Sequence, residues 1–322
     1  MKSFPELINL QKVIDRAPSF ARFKVLREIE FEGSSFPIIS MEMGSEDKSV
    51  PCFGLFGGVH GLERIGSQLI INYLDVLFEQ LKWDEDLAAQ FSKCRIVSIP
   101  IINPVGMSKG WRSNVNGVDL MRNAPGEFEK KVSFLVGGHR IGRWLPWYRG
   151  PQSSQMEVEA QVLVDFVKEQ LFPSRFSMAL DVHSGFGLKD QIWYPFARSE
   201  EAFPRMDLVE KFRNLLDKSH PNHIYVLEAQ SKNYTTNGDL WDYIFDQFTN
   251  SFGHGDKVFL PWTLEIGSWI WIRKNPLQMF SSMGLFNPIK EHRFRRTMRR
   301  HRHLIDLFYL ATKNYQSWLK QY

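Results

Sequence analysis

The sequence predicts an α/β protein with a mixed, mostly parallel sheet and helices on both faces. Two observations favour this class. Apolar strand-like segments alternate with helical segments along most of the 322 residues, and polar residues directly follow several of the apolar segments. Strands that are joined through helices are usually parallel and buried on both faces. Because no segment has the composition of a linker, we expect a single domain over residues 1–322.

The N-terminal half supplies three strand candidates and one strong helix. Cys52–Val59 is an apolar segment with three glycines that ends at His60. Arg64–Leu81 carries apolar residues at helical spacing along one side, which predicts an amphipathic helix. The other two strand candidates are Ser35–Met43 and Arg95–Ile102.

After these elements comes an irregular segment. Residues 105–151 are rich in Gly, Pro and Asn, and a loop of this length is usually functional. Ser154-Gln155-Met156-Glu157 has the pattern of a capping box and predicts a helix over Met156–Phe172. The remaining elements are four predicted strands and a long terminal helix: Phe176–Val182, Ile192–Phe196, Ile224–Glu228, Lys257–Ile266, and a helix from about Pro288 to Leu319.

Composition indicates a globular protein outside the membrane. The chain is 43% hydrophobic and 24% charged, and no apolar run is long enough to span a bilayer. The N-terminus has no apolar run of the signal-peptide type, so we expect a cytoplasmic protein without a membrane partner. In that compartment Cys52 and Cys94 are expected to be buried free thiols.

Positive charge is concentrated at the C-terminus. The net charge of the chain is +4, yet from Lys290 onward there are nine Lys/Arg and only two Asp/Glu. The basic run Lys290–His303 has few aromatic residues for base stacking and leads into an apolar segment, so a solvated or intersubunit helix face is favoured over nucleic-acid binding. Five histidines have no carboxylate or Cys at ligand spacing and are expected at the surface: His220, His223, His254, His301 and His303.

A separate set of polar residues follows the predicted strands. His60 and Glu63 are three residues apart, and His183 lies far downstream. Either part alone is weak evidence, because Glu is common in a first helical turn and a lone His after a buried strand is usually a core residue. Together they form a two-His, one-carboxylate set, which is common for a catalytic zinc with an open position. With Glu265 available to move protons and Arg112 to hold an anion, the set predicts a zinc hydrolase.

The order and context of the motifs resemble those of the zinc metallocarboxypeptidases, the carboxypeptidase A-like group. They resemble more loosely the aspartoacylase and succinylglutamate desuccinylase-like deacylases, which share the fold. The matching motifs run in family order from residue 57 to 267: Gly57-Gly58-Val59-His60-Gly61-Leu62-Glu63, Asn103-Pro104-Val105-Gly106, Trp111-Arg112, Gly117-Val118-Asp119-Leu120-Met121-Arg122-Asn123, Asp181-Val182-His183-Ser184-Gly185 and Thr263-Leu264-Glu265-Ile266-Gly267.

The resemblance implies roles around one zinc ion per chain. His60, Glu63 and His183 would bind the metal, and Asp119 would form a hydrogen bond with a zinc-bound His. Glu265 would be the general base that activates the zinc-bound water. General physical chemistry supports these roles, because zinc lowers the pKa of bound water to about 7 and a carboxylate behind a ligating His fixes its tautomer.

The resemblance also implies roles toward the substrate. Arg112 would polarise the scissile carbonyl, Arg122 would hold a terminal carboxylate, and Ser184 would contact the substrate. Tyr243 is either the mobile tyrosine that the family places before its final Glu or part of a partly buried helix. Met121 departs from the family, which usually has Asn at this position, and the change weakens the predicted grip on a terminal carboxylate.

The leading hypothesis is therefore a zinc-dependent hydrolase that cleaves a peptide or amide bond near a free carboxylate. Met121 and the Thr263–Gly267 motif, which looks somewhat like the deacylase version, leave open an N-acyl amino-acid deacylase or a cell-wall peptide amidase. A catalytically silent binding protein is disfavoured, because it has no chemical need for Glu265 together with three metal ligands.

Other enzyme classes are disfavoured by the motifs that the sequence lacks. It has no GxSxG nucleophile elbow, no P-loop, no HExxH, no CxxC and no GxGxxG after a strand. A serine hydrolase, an NTPase or a dinucleotide enzyme would have to be atypical.

Overall fold

A computed structural model describes residues 3–127, 132–152 and 155–322. Within these residues, eight strands form one mixed sheet. The strands are β1 (Ala21–Phe31), β2 (Ser34–Gly44), β3 (Cys52–Gly57), β4 (Arg95–Ile99), β5 (Phe176–Ser184), β6 (Gln191–Tyr194), β7 (Val226–Ala229) and β8 (Val258–Ile266).

The sheet order is β1-β2-β4-β3-β5-β8-β6-β7. The four central strands, β4, β3, β5 and β8, are parallel to one another. On one side β2 pairs antiparallel with β4, and on the other β6 pairs antiparallel with β8. The predicted fold class, a mixed and mostly parallel sheet, is confirmed.

The α-helices of the described residues are α1 (Pro5–Ile14), α2 (Arg64–Gln80), α3 (Glu85–Gln90), α4 (Pro104–Lys109), α5 (Val158–Gln170), α6 (Met206–Ser219), α7 (Leu240–Phe252), α8 (Trp269–Lys274), α9 (Ser282–Phe286), α10 (Glu291–Lys313) and α11 (Tyr315–Gln321). Short 3-10 helices lie at Leu120–Arg122, Gln230–Lys232 and Pro276–Phe280.

Helices cover both faces of the sheet. Side chains three residues apart on a strand point to opposite faces. On β3, Phe53 stacks on Phe308 of α10, whereas Phe56 packs against Phe166 of α5 and Trp241 of α7. Each central strand is therefore buried on both sides, which explains why these strands are continuous apolar runs in the sequence.

Several elements differ from the sequence-based prediction. Strand β1 is not predicted, because it is an edge strand in which six of eleven residues are exposed and five are charged, and it lacks an apolar run. The terminal helix is interrupted at Asn314, which separates α10 from α11. Helix α5 begins at Val158, and Ser154 of the predicted capping box lies outside the described residues.

The thiol prediction is confirmed, since Cys52 and Cys94 are both free and buried. One surface prediction is wrong: His301 is buried and forms a hydrogen bond of 3.0 Å between its Nδ1 and the hydroxyl of Tyr225. Among the described residues, no helix is both long and apolar enough to cross a membrane.

Candidate metal centre and substrate cleft

The carboxyl ends of the parallel central strands lie at one edge of the sheet. His183 is the penultimate residue of β5, and in the β5–β8 register it is the direct neighbour of Glu265. His60 follows β3, which pairs with β5 on its other side. The topology therefore brings together side chains that lie more than 200 positions apart in the sequence, at the edge where sheets of this kind bind ligands.

A tight turn between β3 and α2 places His60 and Glu63 side by side. A Cβ atom on Gly61 would lie 2.0 Å from the backbone carbon of Gly106, so only glycine fits there. The side chain of Asn103 donates hydrogen bonds to the carbonyls of Val59 (3.3 Å) and Ser113 (3.0 Å). Asn103 thus ties the turn before His60 to the loop that carries Arg112.

His60, Glu63 and His183 form a compact cluster of metal-donor atoms. One donor atom from each residue lies within 4.8 Å of the others. The Nδ1 atom of His60 is 2.9 Å from Oε1 of Glu63, and Nδ1 of His183 is 3.1 Å from Oε2. All three side chains are buried.

Each histidine also contacts a buried aspartate through Nε2, the ring nitrogen that does not face Glu63. Nε2 of His60 is 2.9 Å from Oδ1 of Asp119, and Nε2 of His183 is 2.7 Å from Oδ2 of Asp181. A neutral imidazole that donates from Nε2 presents the lone pair of Nδ1 to the cluster. Trp241 also donates to Oδ2 of Asp181, at 2.9 Å, and so fixes that carboxylate.

The cluster fits a divalent metal ion. The buried Nδ1 of His60 makes no hydrogen bond among the described residues, although Oε1 of Glu63 lies 2.9 Å away. Two imidazole nitrogens and a carboxylate are the donor set of catalytic zinc sites. Without a metal, burial would lower the pKa of His183, but Asp181 and Glu63 outweigh it and raise that pKa well above its usual range. Protons therefore compete with the metal for this site.

Arg112 lies against the cluster. Its Nε donates to Asp119 (2.9 Å) and its Nη1 to Glu63 (3.0 Å). Burial would raise the pKa of Asp119, but Arg112 and His60 lower it well below its ordinary value. The guanidinium thus favours the ionised form of Asp119 while it lines the cleft. The pKa of Glu63 is also lowered, by the neighbouring His60 and His183, against the opposing effect of burial.

Glu265 lies in the same cleft in a different setting. Its Oε1 accepts a hydrogen bond of 2.8 Å from the backbone N–H of Phe186. Burial, with the nearby charge of Glu63, raises the pKa of Glu265 to about 8 in the metal-free protein. A carboxyl group in this range can both accept and return a proton near neutral pH.

The cleft has a volume of about 530 Å³ and extends from the metal cluster to an aromatic wall. Arg122 and Met121 line it, as the sequence predicts, together with Ser184. The guanidinium of Arg122 lies 5.7 Å from the ring centre of Tyr234. The hydroxyl of Ser184 donates to the carbonyl of Phe286 at 2.8 Å, so it is already engaged within the protein.

Tyr243 does not line this cleft. It lies on α7, which begins at Leu240 and is capped by Asp239, and it lines a separate hollow with Glu127 and Arg198. Of its two sequence-based interpretations, the structure matches the partly buried helix. The tyrosine in the cleft is Tyr234, from the irregular segment before α7, and no motif singled it out.

Asp181 is a second residue to which sequence analysis gave no role. It belongs to the Asp181-Val182-His183 motif, and side chains two positions apart on a strand share a face. That spacing was the available signal for its contact with His183.

Comparison with known families agrees with this geometry. The family model for zinc carboxypeptidases matches residues 31–265, most of the chain and every residue of the cluster. The chain therefore belongs to the zinc carboxypeptidase family.

Sequence relatives are similar over shorter stretches. Carboxypeptidase D of Anas platyrhynchos is 28% identical over 131 residues, which cover 38% of this chain and 9% of that protein. Carboxypeptidase SOL1 of Arabidopsis thaliana is 30% identical over 98 residues, which cover 30% of this chain and 20% of that protein. The chain thus spans only a small part of these relatives.

Two solved structures share the fold. A structure of thrombin activatable fibrinolysis inhibitor aligns with a TM-score of 0.67 at 17% identity, over 95% of this chain and 72% of that one. Carboxypeptidase A from Helicoverpa armigera aligns with a TM-score of 0.66 at 18% identity, over 94% and 71%.

Proposed function

We propose that the protein is a zinc-dependent hydrolase that cleaves a peptide or amide bond next to a free carboxylate, with one zinc ion bound by His60, Glu63 and His183. One observation carries this proposal. Arg122 is a buried cation that lines the same cleft as the metal donors and Glu265. Its guanidinium donates to the backbone carbonyls of Val136 and Met121, and it forms no ion pair with a carboxylate among the described residues. A buried cation needs an anionic partner, and a substrate carboxylate can supply one.

Each side chain has a distinct task. A bound zinc ion supplies a Lewis acid and a water molecule that ionises near neutral pH. Glu265 accepts the proton of the attacking water and passes it to the leaving amine. Arg112 faces the cleft with a charge fixed by Asp119 and Glu63, so it can stabilise negative charge that develops on the carbonyl oxygen.

The relatives' names support a peptide substrate, because the curated matches are carboxypeptidases. These names do not indicate which substrate side chains this protein prefers, because the relatives match only part of the chain. The rings of Trp147, Phe186, Trp193, Tyr234 and Trp269 line the cleft and favour an apolar or aromatic group there.

A second candidate is an N-acyl amino-acid deacylase on the same metal site. Met121 favours it, since its buried thioether lies in the cleft at the position where the family usually has an Asn. A thioether cannot donate a hydrogen bond to a carboxylate. In both candidates Arg122 can pair with a substrate carboxylate, but in the deacylase that carboxylate need not lie where a peptide C-terminus would be held. Cytoplasmic location stays a prediction for either.

The test is a substrate panel combined with metal analysis. Short peptides with free and with amidated C-termini are compared with N-acyl amino acids, before and after zinc removal with a chelator. We expect metal-dependent hydrolysis only of substrates with a free carboxylate. Hydrolysis that survives complete metal removal, or that is equally fast on amidated peptides, would contradict the proposal.

A further inference from the structure

A second buried guanidinium lies directly behind Arg122. Arg149 has a side chain that is 2% exposed, and it does not line the cleft. Both arginines flank Gly138, where an added Cβ would lie 2.9 Å from Cδ of Arg149 and 3.3 Å from Cβ of Arg122. The two side chains are therefore packed on either side of one glycine.

The contacts of Arg149 hold the backbone beneath Arg122. Its Nε donates to the carbonyl of Arg122 (2.9 Å), and its Nη2 donates to the carbonyl of Gly126 (2.7 Å). In return, the side-chain amide of Asn123 donates to the carbonyl of Arg149 at 3.1 Å. The planar guanidinium thus bridges two carbonyls of the segment that carries Arg122, which a single ammonium group cannot reproduce.

This arrangement is electrostatically costly in the absence of an anion. Among the described residues, the carboxylate nearest to Arg149 is Glu127, at 3.5 Å, and it is 52% exposed and also pairs with Arg140. Burial, with the charges of Arg140 and Arg122, lowers the pKa of Arg149 to about 10. Arg149 is still charged at neutral pH, so an anion that binds Arg122 relieves repulsion between the two cations.

We propose that Arg149 is a positioning residue for the carboxylate-binding site: it fixes the backbone of Arg122 and adds a second positive charge behind it. The proposal rests on the proposed function in one respect, that Arg122 receives the substrate carboxylate. It assigns Arg149 no contact with the substrate.

The experiment separates geometry from charge. Arg149→Lys keeps the charge but loses the bridge between two carbonyls, and Arg149→Met loses both. Arg140→Met is the matched control, because Arg140 adds charge to the same region but donates to Gly150 and Pro151 and not to Arg122. Thermal unfolding shows which variants are folded. Should Arg149→Met not fold, Arg149→Lys and Arg140→Met decide the question.

The readout is binding of 3-phenylpropanoate to the protein as purified, measured by calorimetry, with 3-phenylpropanamide as the uncharged probe. We expect wild type to prefer the carboxylate and Arg149→Lys to lose roughly ten-fold in its affinity, as for one weakened charge-assisted hydrogen bond. Arg149→Met should lose more, because it removes the second positive charge as well. The amide should bind all variants alike, and Arg140→Met should bind the carboxylate nearly as wild type does. In hydrolysis, the Arg149 variants should raise KM for free C-termini and leave kcat largely unchanged.

Two results would overturn the proposal. Wild-type affinity for the carboxylate in Arg149→Lys would show that the bridge does not position Arg122. An equal loss of affinity in Arg140→Met would show that any nearby positive charge has the same effect and that Arg149 has no positioning role. If wild type prefers the carboxylate and the Arg149 variants lose that preference, but no peptide or acyl substrate is hydrolysed, the positioning role stands and the proposed function fails.

Discussion

The metal side and the substrate side of the cleft are built in different ways. The metal side consists of residues at the ends of adjacent parallel strands, His60 after β3 and His183 on β5. The substrate side is assembled from short elements and connecting segments: Arg122 ends a 3-10 helix, Tyr234 lies in the segment before α7, and Trp193 belongs to the short strand β6. The positions of the metal donors therefore depend on strand order and register, whereas the rest of the cleft lining depends on how the connections between the strands pack.

The largest effect on turnover is expected from a change on the metal side of the cleft. Glu265→Gln keeps the shape of the side chain but removes the base, so turnover should fall by about two orders of magnitude or more. Zinc content should not change, because Glu265 is outside the donor cluster. Steady-state kinetics and metal analysis of the same preparation check both points. Unchanged turnover, or loss of zinc, would place Glu265 in another role.

Arg112 connects the two sides. Arg112→Ala should lower kcat by about 100-fold and raise KM much less, as for the loss of an oxyanion donor. Since Arg112 also donates to Glu63 and Asp119, zinc content must be measured in the variant. A change confined to KM would make Arg112 a ground-state binding residue.

On the substrate side, Met121 is expected to weaken the grip on a terminal carboxylate. Met121→Asn should improve the affinity for acyl-dipeptides about ten- to a hundred-fold, the worth of one hydrogen bond to a charged group. The KM for these substrates is the measurement. If wild type is already efficient on them and the variant gains nothing, Met121 is a neutral replacement.

The smallest expected effect is a change in KM that shows which of Tyr234 and Tyr243 contacts the substrate. Tyr234→Phe removes a hydroxyl from the cleft and should raise KM about five-fold, the worth of roughly 1 kcal/mol. Tyr243→Phe is the control, because Tyr243 lines a different hollow, and its kinetics should match wild type. The reverse pattern would show that α7 moves toward the cleft when substrate binds.

The sequence predicted the residues of the metal side far better than those of the substrate side. His60, Glu63, His183 and Glu265 each lie at or just beyond the carboxyl end of an apolar strand, and parallel strands bring these ends to one edge of the sheet. Tyr234 and Trp193 could not be found in this way. Tyr234 comes from an irregular segment whose path depends on tertiary contacts, and Trp193 lines the cleft because β6 pairs antiparallel with β8, opposite Thr263.

Local signals also explain the two interpretations of Tyr243 and the wrong surface prediction for His301. Spacing from Glu265 pointed to Tyr243, but Asp239 caps the N-terminus of α7 through the backbone N–H groups of Trp241 and Asp242, which places Tyr243 in a helix. His301 lies within a basic run that predicts exposure, yet it faces Asp190 and Tyr225. Neither partner is near it in the sequence.

The zinc content of His183→Ala tests the central claim most directly. His183 supplies one of three donors, and without it His60 and Glu63 cannot complete the usual three-ligand set of a catalytic site. Metal analysis after dialysis should show one zinc per chain in wild type and in the control His223→Ala, whose imidazole pairs instead with Asp217, and little zinc in folded His183→Ala. Stoichiometric zinc retained by His183→Ala would contradict the assignment.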